Sequence, residues 1–285
     1  MTPWCDGMVD DALAEDVGSG DRTTEWTVSE SARARGEIVA RESMVVAGAE
    51  MARAVFRRLD PALRTVQSRA DGEALVEGEV LLTVEGPTRG ILTGERTALN
   101  FLGRLSGIAT HTRRFVEEVK GMGVRIVDTR KTTPGWRLLE KEAVRAGGGD
   151  NHRSGLYDMV LIKENHIQAA GGVSAALARV QERNRVGLPV EVEVTDLGGL
   201  EEAFGHRPDR ILLDNMDPPE LEKAVRWVRS QDGPHPLMEA SGGMSLSRVR
   251  AVAETGVDLI SVGALTHSAP AADLSLRIVD EGPDG

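Results

Sequence analysis

From residue 124 onward, short apolar runs alternate with stretches whose apolar residues recur at helical spacing. The runs fall at 124–128, 159–163, 190–194, 211–214, 237–241 and 259–263. Helical segments are predicted at 137–146, 173–184, 198–204, 218–230 and 245–255. Strand–helix alternation of this kind implies parallel strands joined by crossover helices. The first part of the chain reads differently. An amphipathic helix at 8–16 is followed by the turn-rich break DVGSGD at 16–21. Strand-like runs then come at 36–41, 44–47, 65–69, 80–84 and 90–93, with one helix near 49–59. Leu99, Leu102, Leu105 and Ile108 keep helical spacing through 94–120, a helix expected to bridge two domains.

The six later runs suggest a barrel or a doubly wound sheet. Nearly every run ends on a chemically useful residue: Asp128-Thr129-Arg130-Lys131, Lys163, Glu193, Asp214, Ser241-Gly242-Gly243 and Gly263. A barrel gathers all its strand C-termini on one face, where active sites lie. An open sheet spreads them along a line. Reactive groups on so many consecutive strands fit the barrel better.

Composition narrows the function classes. Aromatic residues make up 3% of the 285 residues, so aliphatic side chains must fill the core. A net charge of −11 disfavours a general nucleic-acid role, which needs a basic footprint. With Cys5 the only cysteine, an intrachain disulfide and a cysteine-based zinc site are excluded. No run approaches the ~20 apolar residues of a membrane span. The acidic stretch 1–16 lacks a secretion-signal layout, so a cytoplasmic location is expected.

Within this acidic chain, Arg96, Arg130, Lys131, Arg153 and Lys163 sit at or near predicted strand or loop ends, with His152 and His166 beside them. Several such groups around one pocket imply a substrate with several negative charges; the plainer alternative is solvated surface charge. In VEVEV, Glu191 and Glu193 share one face and the valines the other. Glu193 and Asp214, on adjacent strands, have the chemistry to hold Mg²⁺ bound to phosphates. The alternative is a structural ion pair with Lys163 or Arg153. Ser241-Gly242-Gly243 and Gly263 suit close approach of a phosphate, although a Ser-Gly-Gly turn by itself is usually only a turn. Gly147-Gly148-Gly149 follows a helix and reads as a helix stop, not a dinucleotide fingerprint. His111 and His267 are lone histidines, and no paired-His spacing supports catalytic zinc. Together these features describe a pocket with a cationic half and a magnesium–phosphate half, suited to transfer between a phosphorylated sugar and a small polyanion.

The strings EDVGSGDRTT (15–24), ERTALNFLGRLSGIAT (95–110), DTRKTTPG (128–135), AVRAGGGDNHR (143–153), LIKENH (161–166), EVEV (191–194), LLDN (212–215), SGG (241–243) and GVDLISVGALTHS (256–268) resemble the quinolinate phosphoribosyltransferases. That resemblance implies an incomplete, about seven-stranded α/β barrel preceded by an N-terminal α+β open sandwich. The corresponding boundaries are 1–112 for the sandwich, 113–268 for the barrel and 269–285 for a tail packing on the sandwich. A short seventh strand is expected near 149–160. The resemblance further implies phosphoribosyl transfer from phosphoribosyl pyrophosphate to quinolinate with loss of CO2, supported by Mg²⁺. Quinolinate contacts would be Arg96, Arg130, His152, Arg153 and Lys163, with Arg96 completing the site of a second subunit in a homodimer. Lys131, Glu193 and Asp214 would be catalytic, the two carboxylates on the metal side. Lys131, Ser241, Gly242, Gly243, Gly263 and His267 would hold the phosphoribosyl group. Trp136 and Glu142 stand where the family more often has Leu and Tyr. The rival readings are a same-fold enzyme using nicotinate or another acceptor, a Schiff-base lyase built on Lys163, and a non-catalytic binder.

Overall fold

The structure, a computed structural model, describes residues 3–279, with side chains from Cys5 onward. In chain order the elements are α1 (Pro3–Val17), α2 (Arg22–Thr27), β1 (Arg33–Ala40), β2 (Met44–Val45), α3 (Ala49–Leu59), β3 (Arg64–Gln67), β4 (Ala74–Leu75), β5 (Val80–Pro87) and α4 (Thr88–Glu118). There follow β6 (Arg125–Val127), α5 (Arg137–Ala146), β7 (Val160–Ile162), α6 (Glu164–Ala170), α7 (Val173–Arg183), β8 (Val190–Val194), α8 (Leu197–Gly205) and β9 (Arg210–Asp214). The chain continues through α9 (Pro218–Arg229), β10 (Leu237–Ser241), α10 (Leu246–Ala253), β11 (Leu259–Ser261), α11 (Ala264–His267) and β12 (Leu274–Val279).

Two compact units result. The first holds the described residues up to His111, the short segment Arg145–Gly148, and the chain from Ala269 onward. Its main sheet runs β12-β1-β5-β3 and is antiparallel throughout. Ile38, Leu82, Val84, Phe56 and Ile91 are fully buried in this unit. The chain after Ser268 contributes β12, whose Leu274–Val279 pairs with Arg35–Ala40 of β1. Residues 280–285 of the expected tail lie outside the described residues.

The second unit, Thr112–Val144 with Gly149–Ser268, carries a six-stranded parallel sheet ordered β6-β11-β10-β9-β8-β7. Aliphatic runs build it: Ile126, Val192, Ile211, Leu213, Met238 and Ile260 are at most 2% exposed. The helices between strands start where the sequence can cap them. Asp217 and Glu220 form a reciprocal capping box on α9, with Pro218 at its start, and the Asp196 side chain caps α8. The six strands do not close into a ring among the described residues, so the fold is an incomplete α/β barrel. The expected seventh strand is reduced to one parallel bridge, Val127 with Asp150. Asp150 N–H donates to Ile126 O at 2.8 Å, and Asp128 N–H to Asp150 O at 3.1 Å.

One predicted strand is corrected. Residues 90–93 form part of the opening turns of α4. The burial of Ile91, Ala98, Leu102, Leu105 and Ala109 carries the helical period back to residue 91, which a four-residue apolar run cannot reveal by itself. The short elements α2, β4, α6 and α11 were not anticipated. Among the described residues no helix is long and apolar enough to cross a membrane.

Small residues on α4 let residues 270–272 lie against it. Ala272 N–H donates to Gly103 O at 2.8 Å, and a Cβ on Gly107 would fall 2.0 Å from Pro270 O. That oxygen belongs to the backbone and cannot rotate aside. Gly107→Ala is therefore expected to lower stability by about 1–3 kcal/mol, read as a fall in the urea midpoint. An unchanged midpoint would show that residues 270–272 are not held against the helix.

Candidate active site

All six parallel strands deliver residues to one pocket of about 690 Å³ at their C-terminal ends. Of the thirteen residues expected to form a site, twelve line it: Arg130, Lys131, His152, Arg153, Lys163, Glu193, Asp214, Ser241, Gly242, Gly243, Gly263 and His267. Arg96 does not. It lies on α4 beside Asn100, in a separate hollow of about 290 Å³ that Ala271 and Leu274 also line. Trp136 and Glu142 line neither cavity. Asn215 and Glu239 line the main pocket, although nothing in the sequence reading singled them out.

One wall is cationic. Arg130 Nε is buried with no hydrogen-bond partner. Burial, and then the nearby charge of Arg130, lower the proton affinity of Arg153. Two guanidinium groups close enough to repel form a wall suited to an anion. Arg153 is held by a bond from Nη1 to Met159 O at 3.2 Å. The loop after it is tightened by the Asp158 carboxylate, which accepts from Ser154 and Gly155 N–H at 2.6 and 3.0 Å. Lys163 Nζ donates to Glu193 at 2.9 Å, so the cationic and acidic halves meet there. His166 accepts the Lys163 N–H on Nδ1 at 2.9 Å and serves as a helix cap outside the pocket.

Beneath that wall, His152 Nε2 lies 2.9 Å from Glu191 and 3.5 Å from Glu239. Both carboxylates are wholly buried, and the angles leave all four of their oxygens without a well-formed hydrogen bond. Burial pulls the His152 proton affinity down, but Glu191 and Glu239 more than offset it and raise it to about 9. Burial likewise raises Glu191. The Arg153 N–H lies 2.8 Å from His152 Nδ1 and holds the ring with Nε2 facing the acids. His152, Glu191 and Glu239 also form the one His/Asp/Glu cluster among the described residues compact enough for a metal.

The opposite side is opened by glycines. Gly242 has φ +96°, and a Cβ there would lie 2.1 Å from Asn215 Oδ1. Only glycine leaves that space open. Arg248 pins the turn, donating to Gly242 O at 3.0 Å and Met216 O at 2.8 Å. Lys131 is fixed through its backbone: its N–H reaches Thr129 Oγ1 at 3.0 Å and its carbonyl accepts from Thr266 Oγ1 at 2.8 Å. A Cβ on Gly263 would meet the Lys131 side chain at 2.9 Å, so Lys131 runs across Gly263. Glu193 is in register with Leu212, which places Asp214 one pleat further along the same face of β9. The Asp214 carboxylate accepts from Asn215 Nδ2 at 2.7 Å.

Comparison with known proteins agrees with this arrangement. The model of the quinolinate phosphoribosyl transferase N-terminal domain matches residues 21–106, and that of the C-terminal domain residues 108–277. The chain is 42% identical over 281 residues to a probable nicotinate-nucleotide pyrophosphorylase (carboxylating) of Synechocystis, covering 98% of this chain and 95% of that protein. It is 44% identical to the nicotinate-nucleotide pyrophosphorylase (carboxylating) of Mycobacterium leprae, covering 94% of each. Among solved structures, the nicotinate-nucleotide pyrophosphorylase of Francisella tularensis superposes with a TM-score of 0.93 at 38% identity, covering 98% of each chain.

The trio of His152, Glu191 and Glu239 predicts a pH dependence of stability. A group whose folded-state pKa is raised stabilises fully below its unfolded value, near 6.5 for His152, and loses that contribution as pH rises through about 9. At about 1.4 kcal/mol per pKa unit, the loss is at most roughly 3–4 kcal/mol. The urea midpoint should fall between pH 6.5 and 9.5, and in His152→Gln the fall should begin at lower pH, as the buried Glu191 ionises without the imidazole beside it. An equal fall over the same pH range in the variant would contradict the assignment.

Proposed function

The chain belongs to the quinolinate phosphoribosyltransferase family, and on that premise we infer that it joins quinolinate to the phosphoribosyl group of phosphoribosyl pyrophosphate. Pyrophosphate and CO2 leave, and nicotinate mononucleotide remains. The observation that carries this reading is one pocket with Arg130, Arg153, Lys163 and His152 on one side and a glycine-opened turn with Lys131 on the other.

The chemistry follows from the groups present. Arg130, Arg153 and Lys163 neutralise the two carboxylates of quinolinate, and the His152 ring beside them helps to orient the acid. Lys131 and the Ser241-Gly242-Gly243 turn, with Gly263 and His267, take the phosphates. Glu193 and Asp214 are hard oxygen donors on adjacent strands and would hold Mg²⁺, which when bound shields the charge of the departing pyrophosphate. As pyrophosphate leaves, positive charge grows at the anomeric carbon, and the same two carboxylates stabilise it. The pyridine nitrogen then attacks. The bond to the carboxylate next to the quaternised nitrogen breaks and CO2 departs; the electron pair left on that ring carbon, stabilised by the positive nitrogen, takes a proton from water, and Lys163 and Arg130 hold the ring in place. With a single cysteine and an acidic surface, the chain suits a reducing cytoplasm.

Arg96 lies in another hollow of its own chain, and this supports its serving a second subunit of a homodimer. Mixing inactive Arg96→Ala chains with inactive Lys131→Ala chains should then restore activity, because each mixed dimer holds one intact site. No recovery despite proven subunit exchange would return Arg96 to its own subunit.

Acceptor choice tests the reading directly. Nicotinate has one carboxylate where quinolinate has two. A lost charge-assisted hydrogen bond costs about 1.5–3 kcal/mol, and an unpaired buried cation adds to it. Quinolinate should therefore be preferred by about two orders of magnitude in kcat/KM. Arg153→Ala should narrow that gap. Equal use of both acids by the unmodified enzyme would favour the nicotinate-using alternative.

A further inference from the structure

His152 and Arg153 belong to no regular element. Their place depends on three residues that do not line the pocket. Asp128 follows β6 directly and is fully buried. Its carboxylate accepts from Lys141 Nζ in a short contact, from Asn151 Nδ2 at 2.6 Å and from the His152 N–H at 2.8 Å. Lys141, on α5, gives a second bond to His152 O at 2.9 Å. Asn151 Nδ2 also reaches Lys141 O at 2.9 Å. The N–H and the carbonyl of His152 are thus both held, and the Arg153 N–H then fixes the imidazole ring.

Stability does not explain this arrangement. Burial is the largest influence on both charges, pushing the Asp128 carboxyl up and the Lys141 ammonium down. A buried ion pair of this kind is often replaceable by apolar residues at no cost to folding. What an apolar pair cannot supply is bonds to the two backbone groups of His152. The phosphate side, in contrast, is held independently. Lys131 lies three residues beyond Asp128, yet its backbone is tied to Thr129 and Thr266.

We propose that Asp128, Lys141 and Asn151 are positioning residues for the acceptor acid: by fixing the segment that carries His152 and Arg153, they set the pocket's selectivity for two carboxylates without touching the substrate. This rests on the reading that His152 and Arg153 hold the acceptor.

The test uses the full-length enzyme. The double variant Asp128→Asn/Lys141→Met replaces the ion pair by a neutral one. It should keep its fold by circular dichroism and raise the KM for quinolinate by about tenfold or more, since small misplacements of binding groups are costly. The KM for phosphoribosyl pyrophosphate should stay within about twofold, as for an independent site, and the quinolinate-to-nicotinate ratio should narrow. Asn151→Ala keeps the ion pair and should shift the same quantities in the same direction; it carries the test if the double variant does not fold. Parallel rises in both KM values, or no change in Asn151→Ala, would overturn the proposal. Arg153→Ala, run alongside, separates the two claims. If it leaves the quinolinate KM unchanged, the acceptor reading fails and the proposal with it. If it raises that KM while the other variants do not, the positioning proposal alone fails.

Discussion

Asp128 and Lys141 form an ion pair buried inside the second unit, one just past the end of β6 and the other on α5. Neither charge reaches solvent, so each depends on the other and on the polar groups around them. Those groups belong to Asn151 and His152. The irregular segment that replaces a seventh strand is anchored there, and with it the side chains of the cationic wall. Where the barrel is incomplete, side-chain bonds do what a ladder of backbone bonds does elsewhere in the sheet.

The parallel sheet supplies the second constraint. Its strands end together, so the residues after each last paired position converge on one pocket whatever their separation in sequence. Charge is then sorted by strand. The ends of β6 and β7 and the segment around Asp150 carry cations, while β8 and β9 carry the carboxylates Glu193 and Asp214. The glycines after β10 and β11 leave space beside Asn215, Lys131 and His267 that a Cβ would fill. Under the floor, Glu191 and Glu239 balance His152, so the wall above is cationic without every cation near it being unpaired. A reaction that starts with a polyanion and passes through a positive ring and a positive sugar has a matching environment at each place.

Much of this was legible in the sequence. Six apolar runs with helical segments between them fixed the parallel sheet, and the residues ending those runs are the ones that meet. The resemblance carried by AVRAGGGDNHR brought in His152 and Arg153 as acceptor contacts, which periodicity alone could not place. What stayed hidden is instructive. Glu239 is a single acid inside LMEAS, where five residues cannot say which face is inward. Lys141 stands between two glutamates on a helix, a pattern that reads as a solvated face, yet its ammonium is buried against Asp128. The seventh strand left no apolar signal because only Asp150, in GGGDN, pairs. Residues 90–93 look extended over four positions, and only the burial of residues much further along shows the helix.

The central claim is that this pocket takes a two-carboxylate pyridine and releases one of those carboxylates. It is tested most directly by incubating the protein with quinolinate labelled in the carboxylate next to the ring nitrogen, together with phosphoribosyl pyrophosphate and Mg²⁺. Labelled CO2 and nicotinate mononucleotide are then counted. The account predicts one CO2 per mononucleotide, with neither formed when phosphoribosyl pyrophosphate is omitted. Release of CO2 without the sugar donor, or a mononucleotide that keeps the label, would contradict it.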